Sequence, residues 1–123
     1  MKSTLAIISD DILYSNLFIP LLKKELPDLH IYICRSFQEI KDKIDHVSCD
    51  LILIDGGLTT SSSLEIIHFI RNKKLVVAPI WFFPEIITTE YIHKSKEMGA
   101  TKIINKPFDP YVITNEIASL INH

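Results

Sequence analysis

Apolar and polar positions along this chain come in blocks. Short continuous apolar runs, Leu5-Ala-Ile-Ile8, Ile31-Tyr-Ile-Cys34 and Leu51-Ile-Leu-Ile54, are separated by longer stretches with helical spacing. A short run that is apolar at every position predicts a strand covered on both faces, as in a parallel sheet. Between the first two runs, Asp10 to Leu26 carries Leu13, Leu17 and Leu21 at a helical period, and Pro27 ends it. Pro20 lies inside that segment, where a missing backbone N–H predicts a kink. Phe37 to Ile44 predicts a short second helix with Phe37, Ile40, Lys41 and Ile44 on one face.

The alternation continues. Gly56 to Ser63 is a small, polar loop, and Ser62-Ser-Leu-Glu65 fits a capping box that opens a third helix to about Asn72. Val76 to Phe83 predicts the fourth strand. Thr88 to Met98 predicts the fourth helix, closed by a left-handed cap at Gly99. Lys102-Ile-Ile104 is a short fifth strand. Asp109 is an N-cap with Pro110 at the first helical position. The last helix then runs from Tyr111 to Ile121, with Val112, Ile113, Ile117, Leu120 and Ile121 inward. Strict alternation implies an α/β fold of the (βα)₅ type, a doubly wound, five-stranded parallel sheet, with residues 1–123 as a single domain.

Composition narrows the function classes. The chain has 123 residues, of which 47% are apolar, and a formal charge of −2. That is enough for one domain with a substantial core, and too apolar for disorder. The basic residues are scattered, with Lys23-Lys24 and Lys73-Lys74 only as pairs, so no phosphate-backbone footprint predicts direct binding of nucleic acid. Two cysteines, Cys34 and Cys49, read as buried thiols in a reducing compartment. Asp10 and Asp11 interrupt the early apolar run, so no signal peptide is expected and the location is read as cytoplasmic. The longest apolar stretch, Leu75 to Ile87, holds two prolines and a glutamate and is too short to span a membrane. None of His30, His46, His68, His93 and His123 stands at metal-ligand spacing from another.

In open parallel sheets the ligand site lies beyond the carboxyl ends of the strands. Ser9-Asp10-Asp11 follows strand 1, Asp55 ends strand 3, Pro84-Glu85 follows strand 4, and Asn105-Lys106-Pro107 follows strand 5. Carboxylates gathered at one edge favour a divalent cation, and hard oxygen ligands suit magnesium. A lysine opposite them balances an incoming phosphoryl group. The set describes an aspartate phosphorylation site, with Asp55 as nucleophile, Asp10 holding a metal and Lys106 on the phosphoryl oxygens.

Four segments carry a family resemblance: I-I-S-D-D at 7–11, D-L-I-L-I-D at 50–55, G-A at 99–100 and K-P-F-D-P at 106–110. Over its whole length the chain resembles the receiver domain of bacterial two-component response regulators. The resemblance implies magnesium-dependent transfer of a phosphoryl group from a histidine kinase, or a phosphotransfer protein, to Asp55. It implies a metal held by Asp10, Asp11, Asp55 and the backbone carbonyl of Gly57, and a cis Lys106–Pro107 bond that aims the lysine inward. The acid pair of the family falls on Ser9 and Asp10 by one count and on Asp10 and Asp11 by another. The face built from helix 4, strand 5 and helix 5 is the family's usual interaction surface, and there a homodimer would form. Tyr91, Lys94, Lys102, Asn105 and Tyr111 are candidates on it.

The pattern also breaks. The Ser or Thr that ends strand 4 in the family is here Pro84, which has neither hydroxyl nor N–H. Glu85 follows it and brings a negative charge near an anion. The aromatic switch residue on strand 5 is Ile103. Positions 59 and 63, proline and glycine in the family, are Thr59 and Ser63, which predicts a looser loop after Asp55. Gly57 and Ile86 stand where family residues tune loss of the phosphoryl group, and neither orients a water, so hydrolysis is expected to be slow. Two readings stay open: a receiver that is phosphorylated on Asp55 but switches by an atypical route, and a pseudo-receiver that binds partners without phosphorylation. A cofactor-binding flavodoxin-like reading lacks a phosphate loop after strand 1.

Overall fold

The computed structural model describes residues 3–44, 48–58, 62–74 and 76–122, with the side chains of 12–15 outside the description. Five parallel strands, β1 (Thr4–Ile8), β2 (His30–Cys34), β3 (Leu51–Asp55), β4 (Ile80–Phe83) and β5 (Lys102–Ile103), form one sheet in the order β2-β1-β3-β4-β5. The helices between and after them are α1 (Ile12–Glu25), α2 (Phe37–Lys43), α3 (Ser63–His68), α4 (Thr89–Met98) and α5 (Pro110–Ile121). The (βα)₅ expectation holds.

Each strand alternates its side chains between two cores. Leu5, Ile7, Leu51, Leu53, Trp81 and Phe83 meet α1 and α5 on one face. Ile8, Ile52, Ile54, Ile80 and Phe82 meet α2, α3 and α4 on the other. The run at 80–83 is therefore buried at every position because both faces are covered. Register is fixed at the amino edge by Asp50, whose Oδ2 accepts from Thr4 N at 2.8 Å while its own N–H donates to Thr4 O at 2.8 Å. Ile8 pairs with Ile54, so Ser9 emerges beside Asp55.

Several sequence expectations are corrected in detail. The buried stripe of α1 is Phe18, Ile19 and Leu22, with Leu26 just beyond, whereas Leu17 is 73% exposed. The helix sequence is apolar around most of its circumference, so the leucine period predicts the helix without marking its inner face. It runs continuously through Pro20. The sheet begins at Ile80, not Val76, and Val77 is 92% exposed. Pro79 still contributes, through its carbonyl, to Ile52 N. On α5, Ile113 and Ile117 are buried, but Val112 and Leu120 are exposed. Ser62 is the N-cap of α3 without a side-chain bond, so the capping box does not form. That helix widens into a π-type turn over Phe69–Lys73, with Lys74 N bonded to Phe69 O. Cys34 is buried and Cys49 half-buried, and both are free. Thr59, Leu75, His46, His123 and the side chain of Leu13 lie outside the described residues.

At the amino edge, Arg71 joins three segments. Its guanidinium donates to the carbonyls of Val76, Ala78 and Gly99 and to Thr101 Oγ1, at 2.6–3.1 Å. Burial pushes its pKa below the ordinary value. Gly99, at φ +131°, ends α4 against it.

Candidate functional site

The carboxyl ends of β1, β3, β4 and the segment after β5 converge on Asp55. It is the last residue of β3, and its side chain is 5% exposed. Among the described residues, its carboxylate is contacted from three different segments. Oδ1 accepts from Lys106 Nζ at 2.5 Å and from the N–H of Gly57 at 3.1 Å. Oδ2 accepts from the buried hydroxyl of Ser9 at 3.0 Å. That hydroxyl in turn accepts from the N–H of Asp11 at 3.1 Å. A chain of donors thus runs from the start of α1 through Ser9 to Asp55, and each bond polarises the next. Behind the site, Ser63 Oγ donates to the Asp55 carbonyl at 2.9 Å and ties the start of α3 to the end of β3.

Lys106 follows β5 and precedes a cis peptide bond to Pro107, as the family resemblance implied. Its ammonium is held by two carboxylates. Besides Asp55 it donates to Glu85 Oε1 at 2.6 Å. Burial acts to lower the pKa of Lys106, but the hydrogen bonds and charges of Asp55 and Glu85 outweigh it, and the net shift is upward. The lysine is therefore charged at neutral pH.

Glu85 reaches Lys106 because the backbone beneath it carries no side chains. A β-carbon on Gly57 would lie 2.8 Å from Glu85 Oε1, and one on Gly56 would lie 2.8 Å from Pro84 Cα. Gly56 N also donates to Phe83 O at 2.8 Å, extending the β3–β4 ladder by one step. The Pro84-Glu85 corner is thereby pressed onto the loop that follows Asp55.

The remaining sequence candidates fall around this core. Asp10 is half-buried and Asp11 exposed at the head of α1. Pro84 is buried. Ile103 is half-buried and packs with the α4-side core, beside Tyr91 and Met98. Thr88 uses its hydroxyl as the N-cap of α4, accepting from Tyr91 N at 3.2 Å, so it does not stand in for the hydroxyl missing at 84. Sequence reasoning found Asp55, Lys106 and Pro84, but missed that Ser9 bonds Asp55 and that Glu85 bonds Lys106. The signal for Ser9 was present in its place directly after strand 1.

The fold and the site together define a class: a parallel α/β domain with a buried aspartate at the carboxyl end of its central strand and a lysine facing it. The family model for the response regulator receiver domain matches residues 5–118, and the chain belongs to that family. The sequence matches no curated protein. Among solved structures, a two-component response regulator from Clostridium difficile superposes with a TM-score of 0.86 at 18% identity, covering 98% of this chain and 97% of that one. The signal receiver domain of a DNA-binding response regulator from Colwellia psychrerythraea gives 0.86 at 18% identity, covering 98% and 99%. The chemotaxis response regulator CheY4 of Vibrio cholerae gives 0.80 at 16% identity, covering 98% and 99%. Likeness at this identity carries the fold.

Receiver domains generally bind magnesium in their acidic pocket, and the donors here fit one. Magnesium takes oxygen ligands, needs only one or two carboxylates and keeps several waters. Among the described residues no three His, Cys, Asp or Glu side chains are gathered at metal-binding distance. Backbone and water would therefore complete the shell. No helix among the described residues is long and apolar enough to cross a membrane.

Proposed function

We propose that this receiver accepts a phosphoryl group on Asp55 from a phosphohistidine of a histidine kinase or phosphotransfer protein. A carboxylate oxygen of Asp55 attacks phosphorus, the phosphorus–nitrogen bond breaks, and the imidazole leaves with the bonding pair. The product is an acyl phosphate. The observation that carries this reading is the buried Asp55 held by Lys106 at 2.5 Å, by Gly57 N–H and by Ser9. Those bonds fix the rotation of the carboxylate, and Lys106 supplies the positive charge for the transferred oxygens.

Magnesium, when bound, would neutralise the phosphoryl oxygens, and Asp10, Asp55 and the Gly57 carbonyl are the residues that would hold it, with Asp11 at the rim. Residues 1–123 are read as one receiver domain. Signal output is read as atypical, because Pro84 offers no hydroxyl and Ile103 already packs inward. The face of α4, β5 and α5 is the candidate surface for a homodimer or partner, with Tyr91, Lys94, Lys102, Asn105 and Tyr111 on it. Lys102 is already engaged there, with Glu116 at 2.5 Å and over the Trp81 ring at 4.8 Å.

One observation favours the second reading, a pseudo-receiver. Lys106 already has a second anionic partner within the chain, Glu85. Incubation with magnesium and a small phosphodonor, followed by intact-mass measurement, separates the two. A mass gain in the native protein that is absent in Asp55→Asn supports phosphorylation. No gain in the native protein overturns it and leaves the pseudo-receiver.

A further inference from the structure

We propose that Glu85 is a tethered competitor for the phosphoryl group: its carboxylate holds Lys106 in the unmodified protein and is expelled when a phosphoryl group arrives on Asp55. The inference rests on the phosphoacceptor reading of Asp55 and deepens it by naming what regulates that site.

Four observations carry it. First, Lys106 Nζ is within 2.6 Å of Glu85 Oε1 and 2.5 Å of Asp55 Oδ1, so one ammonium bridges the two carboxylates. A phosphoryl oxygen is the same kind of acceptor for that ammonium as a carboxylate oxygen. Second, the position of Glu85 is imposed by the backbone. Pro84 is buried with a restricted φ, its Cα sits where a side chain on Gly56 would be, and Glu85 Oε1 sits where a side chain on Gly57 would be. Third, the Glu85 side chain is 54% exposed, so it can swing into water without disturbing the core. Fourth, phosphorylation replaces the single negative charge of the Asp55 carboxylate by a phosphoryl group that carries about two and reaches further out, at most a few ångströms from Glu85, and like charges at that range repel.

The direction of this switch is the reverse of a hydroxyl drawn toward the phosphate. Here a carboxylate is pushed away, and the corner it belongs to leads into the exposed Ile86 and Ile87. Displacement of Glu85 therefore changes the surface at the start of α4 without any movement of residue 103.

The test is the affinity for beryllofluoride in the presence of magnesium, followed by amide spectra, for the native protein, Glu85→Gln and Glu85→Ala. Spectra before addition establish that all three are folded. Both variants should bind about tenfold more tightly than the native protein, equivalent to ~1.4 kcal/mol. The gap should narrow at high salt, because a half-exposed pair is screened. In the native protein the amides of 85–88 should shift on binding. Equal affinity in all three forms, or weaker binding by the variants, overturns the proposal while leaving Asp55 as the acceptor. Binding by none of the three folded forms overturns the phosphoacceptor reading together with this inference.

Discussion

Pro84 Cα lies 2.8 Å from the point that a β-carbon on Gly56 would occupy, and this close approach of backbone to backbone sets the shape of the site. Gly56→Ala forces β4 away from β3 at their carboxyl ends. The expected cost is about 1–3 kcal/mol, the range for overpacking a rigid contact. At Gly57 the obstacle is instead Glu85 Oε1, the mobile end of a side chain. Gly57→Ala should therefore leave stability within ~0.5 kcal/mol while freeing Glu85. Urea unfolding of the two variants checks the contrast.

The pairing of Lys106 gives stability a pH dependence at the alkaline end. Its folded pKa is raised above the ordinary 10.5, so the stabilisation is complete below that value and lost as pH rises through the folded pKa. Lys106→Met should cost about 2 kcal/mol at neutral pH, less than for a fully buried pair, since the lysine is 27% exposed. The difference between native and variant should be flat through neutral pH and close only above 10.5. Urea midpoints across pH measure it.

Gly99 and Arg71 should fail together. A β-carbon on Gly99 would sit 2.3 Å from Arg71 Cγ, at a φ of +131° that side chains rarely adopt. Gly99→Ala should cost at least ~2 kcal/mol. Arg71→Met removes four donated bonds and should cost about 2–3 kcal/mol. Because both changes disrupt one contact, the double variant should lose less than the sum. Thermal or urea unfolding of the three variants reads this out.

Thr114 offers a change in the opposite direction. It is 1% exposed on α5, and its hydroxyl has no hydrogen-bond partner among the described residues. Thr114→Val keeps the shape and removes the unpaired polar group, so stability should rise by about 1 kcal/mol. A fall in the unfolding midpoint would contradict this.

Much of the fold was legible because its strands are covered on both faces. Leu51-Ile-Leu-Ile54 has no polar position to mark a solvent side, and Asp109-Pro110 starts a helix with Asp109 Oδ1 accepting from Tyr111 N as expected. The inner face of α1 was not legible, since Leu13-Leu17-Leu21 and Phe18-Leu22 compete at the same period and only the sheet decides between them. The early start assigned to strand 4 came from apolar Val76 and Val77, which lie before Pro79: Val76 packs at the edge of the core without joining the sheet, and Val77 is exposed. In the site, Asp55 and Lys106 could be placed from strand ends alone. The bond from Glu85 to Lys106 spans 21 residues. It depends on β4 lying beside β5 and on two glycines clearing the way, neither of which is a local property of the chain.

The central claim is that Lys106 is shared by Asp55 and Glu85 in the unmodified protein. The most direct measurement is the titration of the Lys106 side-chain nitrogen by NMR in the native protein, Glu85→Gln and Asp55→Asn. Each substitution should lower the pKa of Lys106, because each removes one of the two carboxylates that hold the proton on it. A Lys106 titration left unchanged by Glu85→Gln while Asp55→Asn shifts it would contradict the claim.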